Sequence, residues 1–241
     1  MIFVGNIKSN IITDDYIKSL TDYSYIDTVC LCVPLIYIAK YKKALNDAGI
    51  FIGSQCVDLD EDFANRGEVN AKMLKDVGCE FVFLGQKIGK KITANDYIRI
   101  RKKIVSVIEN GMKVFVCIGE SMEDKECNQV LNVLEKQIKE IFKGIENYIT
   151  DDNLIISYEP KWAVGTGLSI NAEDLKNIMI NLRSMVDVYS KKKKCKILYG
   201  GSCNFHNIPR YLESECVDGF VIGNACLNKK QFTRILCGER K

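Results

Sequence analysis

Short runs of apolar and β-branched residues recur along this chain, and each is followed by a longer stretch in which apolar residues return every three or four positions. The runs Ile2 to Val4, Thr28 to Val33, Ile50 to Gly53, Phe81 to Leu84, Lys113 to Cys117, Leu154 to Ser157, Lys196 to Tyr199 and Gly219 to Ile222 predict eight strands. Helical spacing follows in Tyr97 to Glu109 (Ile98, Ile100, Ile104, Val105, Ile108), Val130 to Phe142 (Val130, Leu131, Leu134, Ile138, Ile141), Ala172 to Val188 and Ala225 to Leu236. Strict alternation of strand and helix implies parallel strands joined by crossover helices. A doubly wound open sheet alternates in the same way, but the strand count and the spacing of features favour an α/β fold closed as a single (β/α)8 barrel. No Gly/Ser-rich linker or composition break interrupts residues 1–241, so one domain is expected.

Composition sharpens this picture in a few places. A chain of 241 residues, 47% hydrophobic, has enough apolar material for a large core of this kind. The formal net charge of +3 is too small a bias to suggest nucleic acid or an anionic membrane as the main partner. The densest charge run, Lys191 to Lys194, reads as a solvated connection. Eleven cysteines are scattered, with Cys30 and Cys32 two apart and no pair of CxxC motifs to hold zinc. Cys79, Cys117 and Cys195 sit in or beside apolar runs, where a reduced cysteine behaves as a small hydrophobe. The opening Met1 to Lys8 carries no basic leader, and no stretch approaches roughly eighteen consecutive apolar residues. A cytoplasmic protein without a membrane partner is expected.

The unusual polar and glycine residues follow the strands: Asn6 and Lys8, Gln55, Gly85-Gln86, Gly119-Glu120, Glu159, Gly200-Gly201-Ser202, and Gly223-Asn224. In a closed barrel these ends share one face, where active sites are built. Gly200-Gly201-Ser202 and Gly223-Asn224 follow consecutive strands, and exposed backbone N–H groups at such turns suit a phosphate dianion. Taken alone, Gly-Gly equally makes a plain turn. Glu159 lies between an apolar strand and Pro160 in Tyr158-Glu-Pro-Lys-Trp-Ala-Val-Gly-Thr-Gly167. A carboxylate partly desolvated beside Trp162 makes a useful base, and the glycines after it allow the segment to close. An isolated Glu-Pro would be a surface turn.

Taken together, Gly5-Asn6-Ile7-Lys8, Val116-Cys-Ile-Gly-Glu120, Tyr158 to Gly167, Tyr199-Gly-Gly-Ser202 and Asp218-Gly-Phe-Val-Ile-Gly-Asn-Ala225 resemble, in order and along nearly the whole chain, the triosephosphate isomerase family. The loop after Glu159 is the most specific match. The resemblance implies a homodimeric aldose–ketose isomerase acting on a three-carbon sugar phosphate without metal or cofactor. It implies Glu159 as the base that shuttles a proton between adjacent carbons, Lys8 as positive charge beside the developing oxyanion, and Asn6 as an orienting group. Gly165, Ser202, Gly223 and Asn224 would hold the phosphate, and Glu120 would receive Trp162 when the loop is open. Asn224 stands where a second glycine is usual; Asn tolerates left-handed backbone, so phosphate binding is expected to survive.

The departures lie after the fourth strand. The family's Gly-His-Ser-Glu-Arg-Arg is here Gly85-Gln-Lys-Ile-Gly-Lys90, so Gln86 occupies the position of the catalytic histidine. This is the very family from which the pairing of a glutamate base with a neutral, polarising histidine is usually drawn. A glutamine amide still donates a hydrogen bond to an enediolate oxygen but cannot relay a proton between two oxygens, a loss of roughly two to four orders of magnitude in rate. The chain's one histidine, His206, follows the seventh strand and reads as a surface or capping residue. Lys87 either pairs with Glu159 or snorkels outward. Arg66, at the tip of the stretch Gln55 to Gly67, either adds an anion contact or disturbs the dimer, and Gly89 removes an arginine that ties that loop to its neighbour. Two other readings stay open: an inactive barrel that binds a phosphorylated metabolite, and an isomerase of a longer sugar phosphate.

Overall fold

The computed structural model describes residues 1–59, 67–85 and 93–237, and in it eight strands close on themselves in chain order. They are β1 (Ile2–Asn6), β2 (Thr28–Val33), β3 (Ile50–Ser54), β4 (Phe81–Leu84), β5 (Lys113–Ile118), β6 (Leu154–Tyr158), β7 (Lys196–Tyr199) and β8 (Gly219–Ile222). All neighbours are parallel, and β8 returns to β1 with Gly219 opposite Ile2 and Ile222 opposite Gly5. Each strand starts where the apolar runs predict. Four of them run one or two residues further, as β1 does to Asn6, because ladder hydrogen bonds are made by the main chain and continue past the last apolar side chain.

Alternation along the strands divides the core in two. Ile2, Val4, Cys30, Cys32, Phe81, Phe83, Phe115, Cys117, Ile155, Leu198 and Val221 form one cluster, the barrel interior, with Phe115 packed 5.0 Å from Phe83 and 4.9 Å from Phe81 between ring centres. The alternate positions, such as Phe3, Leu31, Val82, Val116, Ile156 and Phe220, join the larger cluster shared with the helices. The inward set ends on chemistry: Asn6 continues Val4, Glu159 continues Ile155 and Ser157, Gly200 continues Leu198, and Gly223 continues Val221. Period-two geometry thus delivers these residues to one end of one barrel.

Capping explains where the helices depart from the apolar pattern. Helix Ala94–Glu109 begins three residues before the predicted Tyr97, since Thr93 and Asp96 form a reciprocal capping box. The predicted single helix from Ala225 to Leu236 is two, Asn224–Leu227 and Lys229–Leu236. Asn228 breaks it, taking up an extended conformation and accepting from the Gln231 amide at 3.1 Å as the cap of the second. Lys191 and Lys192, both left-handed, lie between helix Ala172–Tyr189 and β7. The cysteines are free and mostly buried, burial pushing the Cys79 thiol up to about 11 and Cys195 up to about 12. Among the described residues no helix is long and apolar enough to cross a membrane.

Candidate active site

A cavity of about 380 Å³ opens at the C-terminal mouth of the barrel, and Asn6, Lys8, Glu159, Gly165, Gly200, Ser202, Gly223 and Asn224 all line it. Four separate strand ends meet there.

The β1 end is held under strain. Asn6 is buried, and its Oδ1 accepts from the Lys8 backbone N–H at 3.1 Å. Lys8 has φ of 52°, a left-handed conformation that a residue with a Cβ adopts only when its surroundings impose it. Gln55 helps impose it by donating from Nε2 to the Lys8 carbonyl at 2.8 Å. The ammonium consequently lies against the β8 turn: Lys8 Nζ is 3.8 Å from where a Cβ on Gly223 would stand.

Glu159 directly follows β6 at 6% exposure, its backbone N–H donating to the Ile118 carbonyl at 2.7 Å. Two glycines make the space. A Cβ on Gly119 would lie 2.0 Å from the Glu159 carbonyl oxygen, and one on Gly200 would lie 2.5 Å from Glu159 Cγ. Buried Gln137 fixes Gly119 in turn, accepting from its N–H at 2.9 Å and donating to its carbonyl at 3.1 Å. Glu159 Oε1 accepts from Ser157 Oγ at 2.8 Å and from Cys117 Sγ at 3.3 Å.

The loop after Glu159 is fastened at both ends. Trp162 Nε1 donates to Glu120 Oε1 at 2.7 Å, the Tyr158 hydroxyl donates to the same oxygen at 3.1 Å, and Lys125 Nζ lies 3.6 Å from the centre of the Trp162 ring. Burial raises the Glu120 carboxyl above its ordinary value, and the bonds from Trp162 and Tyr158 oppose that rise. Further on, Ser202 Oγ donates to the Ala163 carbonyl at 2.6 Å and accepts from the Gly167 N–H at 3.1 Å, while the Ile170 N–H donates to the Tyr199 hydroxyl at 3.4 Å. The Trp162–Glu120 pair, expected from the family resemblance when the loop is open, forms here while the loop is latched onto Ser202. Trp162 belongs to the tight turn that begins at Pro160, so its contact does not require the distal part to lift. Gly165 and Gly167 have φ of 75° and 81° with open space around them, so conformation and not crowding calls for glycine there.

Asn224 is corrected in one respect. It is the first residue of a short helix and has no left-handed backbone, so it stands there as an ordinary helical residue. Gln86, Lys87 and Gly89, and likewise Arg66, lie outside the described residues. His206 is exposed, its ring edge-on to Phe205, and it does not line the cavity. Asn204, Asn228 and Gln231 do line it, which sequence reasoning misses. The signals were slight: Asn204 follows Ser202 by two residues, and the other two sit in what reads as one continuous amphipathic helix.

Comparison with known proteins bears on the family and the fold. The sequence profile of the family described as triosephosphate isomerase matches residues 1–238. A triosephosphate isomerase of Alkaliphilus oremlandii is 31% identical over 243 residues, covering 98% of each chain. One of Aquifex aeolicus is 31% identical over 229 residues, covering 93% of this chain and 92% of its own. The crystal structure of triosephosphate isomerase from Bartonella henselae superposes with a TM-score of 0.85 at 26% identity, covering 100% of this chain and 99% of the other.

Proposed function

The chain belongs to the triosephosphate isomerase family, and from that premise we propose that it interconverts glyceraldehyde 3-phosphate and dihydroxyacetone phosphate by proton transfer through an enediolate, without metal or cofactor. The observation that carries this reading is Glu159 standing in one cavity with Lys8 beneath a latched loop.

The chemistry needs a carboxylate that removes a proton from the carbon beside the carbonyl and returns it to the neighbouring carbon. Glu159 meets that need: its buried position strips water from the carboxylate, and the glycines at 119 and 200 let it sit between strands. The charge that develops on the substrate oxygen requires a fixed counter-charge, the role proposed for Lys8, whose strained backbone is fixed by Asn6 and Gln55 before substrate arrives. The phosphate is assigned to backbone groups at Gly165, Ser202, Gly223 and Asn224; the Ser202 hydroxyl is already occupied by the latch, which leaves its main chain for the ligand. Gln86 would donate to the enediolate, and moving the proton between the two oxygens then lacks an imidazole. A homodimer is proposed from the family, as is a place in cytoplasmic sugar-phosphate metabolism.

A coupled assay with both triose phosphates tests this. Turnover is expected in the parent, lost by at least about three orders of magnitude in Glu159→Gln and raised by roughly 10²-fold or more in Gln86→His. A parent that binds a phosphate ligand saturably yet turns nothing over would replace the isomerase by a phosphometabolite-binding barrel.

A further inference from the structure

The interior of the barrel is apolar on the rung beneath the base, with one exception. Ile155, Ser157 and Glu159 share the inward face of β6, and around Ser157 stand interior residues such as Phe115, Cys117 and Leu198. Ser157 is fully buried. An alanine would pack there equally well, and a hydroxyl placed in such surroundings is unfavourable unless it is bonded. The bond it makes is to the base itself, Oγ to Glu159 Oε1 at 2.8 Å. A hydroxyl facing an ionised carboxylate donates, and the carboxylate can only accept.

We infer that Ser157 is a positioning residue for the proposed base: its hydroxyl anchors the Glu159 carboxylate from inside the barrel, fixing its orientation and favouring its ionised form. This deepens the isomerase reading and rests on it. Cys117 Sγ reaches the same Oε1 from β5 at 3.3 Å, but a thiol is the weaker donor. Ser157 itself does not line the cavity, so its effect reaches the substrate only through Glu159. Among the described residues, the other titratable groups around Glu159 are Cys117 on β5, Lys8 after β1, which shares the cavity, and Cys203 after β7, whose thiol is raised by burial first and by the Glu159 charge second.

The experiment is a pH titration of the Glu159 carboxyl in the full-length parent and in Ser157→Ala and Ser157→Cys. It is followed by carbon NMR of glutamate labelled at the carboxyl carbon, the Glu159 signal being assigned by its absence in Glu159→Gln. Removing one hydrogen bond to the charged form is expected to raise the midpoint in Ser157→Ala by roughly half to one pH unit, with Ser157→Cys between it and the parent. The acid limb of the kcat/KM profile is expected to move by the same amount, with KM changed less than about twofold. An unmoved midpoint in Ser157→Ala, in a protein with the parent's circular dichroism, would overturn the inference even if Glu159→Gln abolishes turnover. Should Glu159→Gln leave turnover intact, the assignment of the base would fail instead, whatever the NMR midpoint does.

Discussion

Glu120 shows at the scale of one residue what holding the loop demands. Its Oε1 takes bonds from Trp162 and Tyr158, while its buried Oε2 has no hydrogen-bond partner among the described residues. Burial raises its carboxyl above the ordinary 4.5, so the ionised form is disfavoured in the fold relative to the unfolded chain. The sign follows: the penalty is present above the raised folded value and is gone once pH falls below 4.5. Glu120→Gln keeps an acceptor for Trp162 but has no proton to exchange. The stability of this variant relative to the parent is therefore expected to be most favourable near neutrality and to decline as pH falls, by at most about 1.4 kcal/mol per pH unit. Urea melts of both proteins between about pH 5 and 8 measure it, and a constant difference across that range would refute the assignment.

Among the elements, the loop from Pro160 to Ile170 is the one whose stability is separable from that of the barrel. Its far end is tied to Tyr199 and Tyr211 through Ile170, while its middle is held by one hydroxyl, Ser202, which bonds both Ala163 and Gly167. Two such bonds are worth roughly 1–3 kcal/mol together. Ser202→Ala is expected to raise the hydrogen-exchange rate of the Gly167 amide by about tenfold or more, while amides of β6 and β7 keep the parent's protection. If the proposed isomerase reading holds, kcat/KM should fall by a comparable factor, because the loop must close over substrate. Protection at Gly167 that survives the substitution would show that the latch is not what holds the loop.

For the molecule as a whole, closure depends on a seam where there is no room for a side chain. Gly219 pairs with Ile2 across β8 and β1, and a Cβ there would stand 2.0 Å from the Ile2 carbonyl oxygen, a backbone atom that cannot rotate away. Gly219→Ala therefore forces two strands apart where the barrel shuts. The expected loss is about 3 kcal/mol or more, a fall in Tm of roughly 6–12 °C, read by thermal melts. A Tm within about 1 °C of the parent would mean that the seam relaxes more easily than the closed ladder implies.

Much of this protein was legible in its residues. The apolar runs marked all eight strands from their first residue, because interior strands of a parallel sheet must be apolar on both faces. The glycines and polar residues after them marked the mouth, because period-two alternation carries Asn6 and Glu159 to the inner face. What tertiary structure alone decided concerns neighbours far apart in sequence. That Gly200 must be small for Glu159, that Gln137 grips Gly119, and that Ser202 latches the loop are consequences of strands and helices brought side by side. Nor does spacing reveal that Asn228 interrupts a helix, since its apolar stripe continues through the break and only the cap geometry ends it. Local pattern fixes which face a residue takes; closure of the barrel fixes what it meets there.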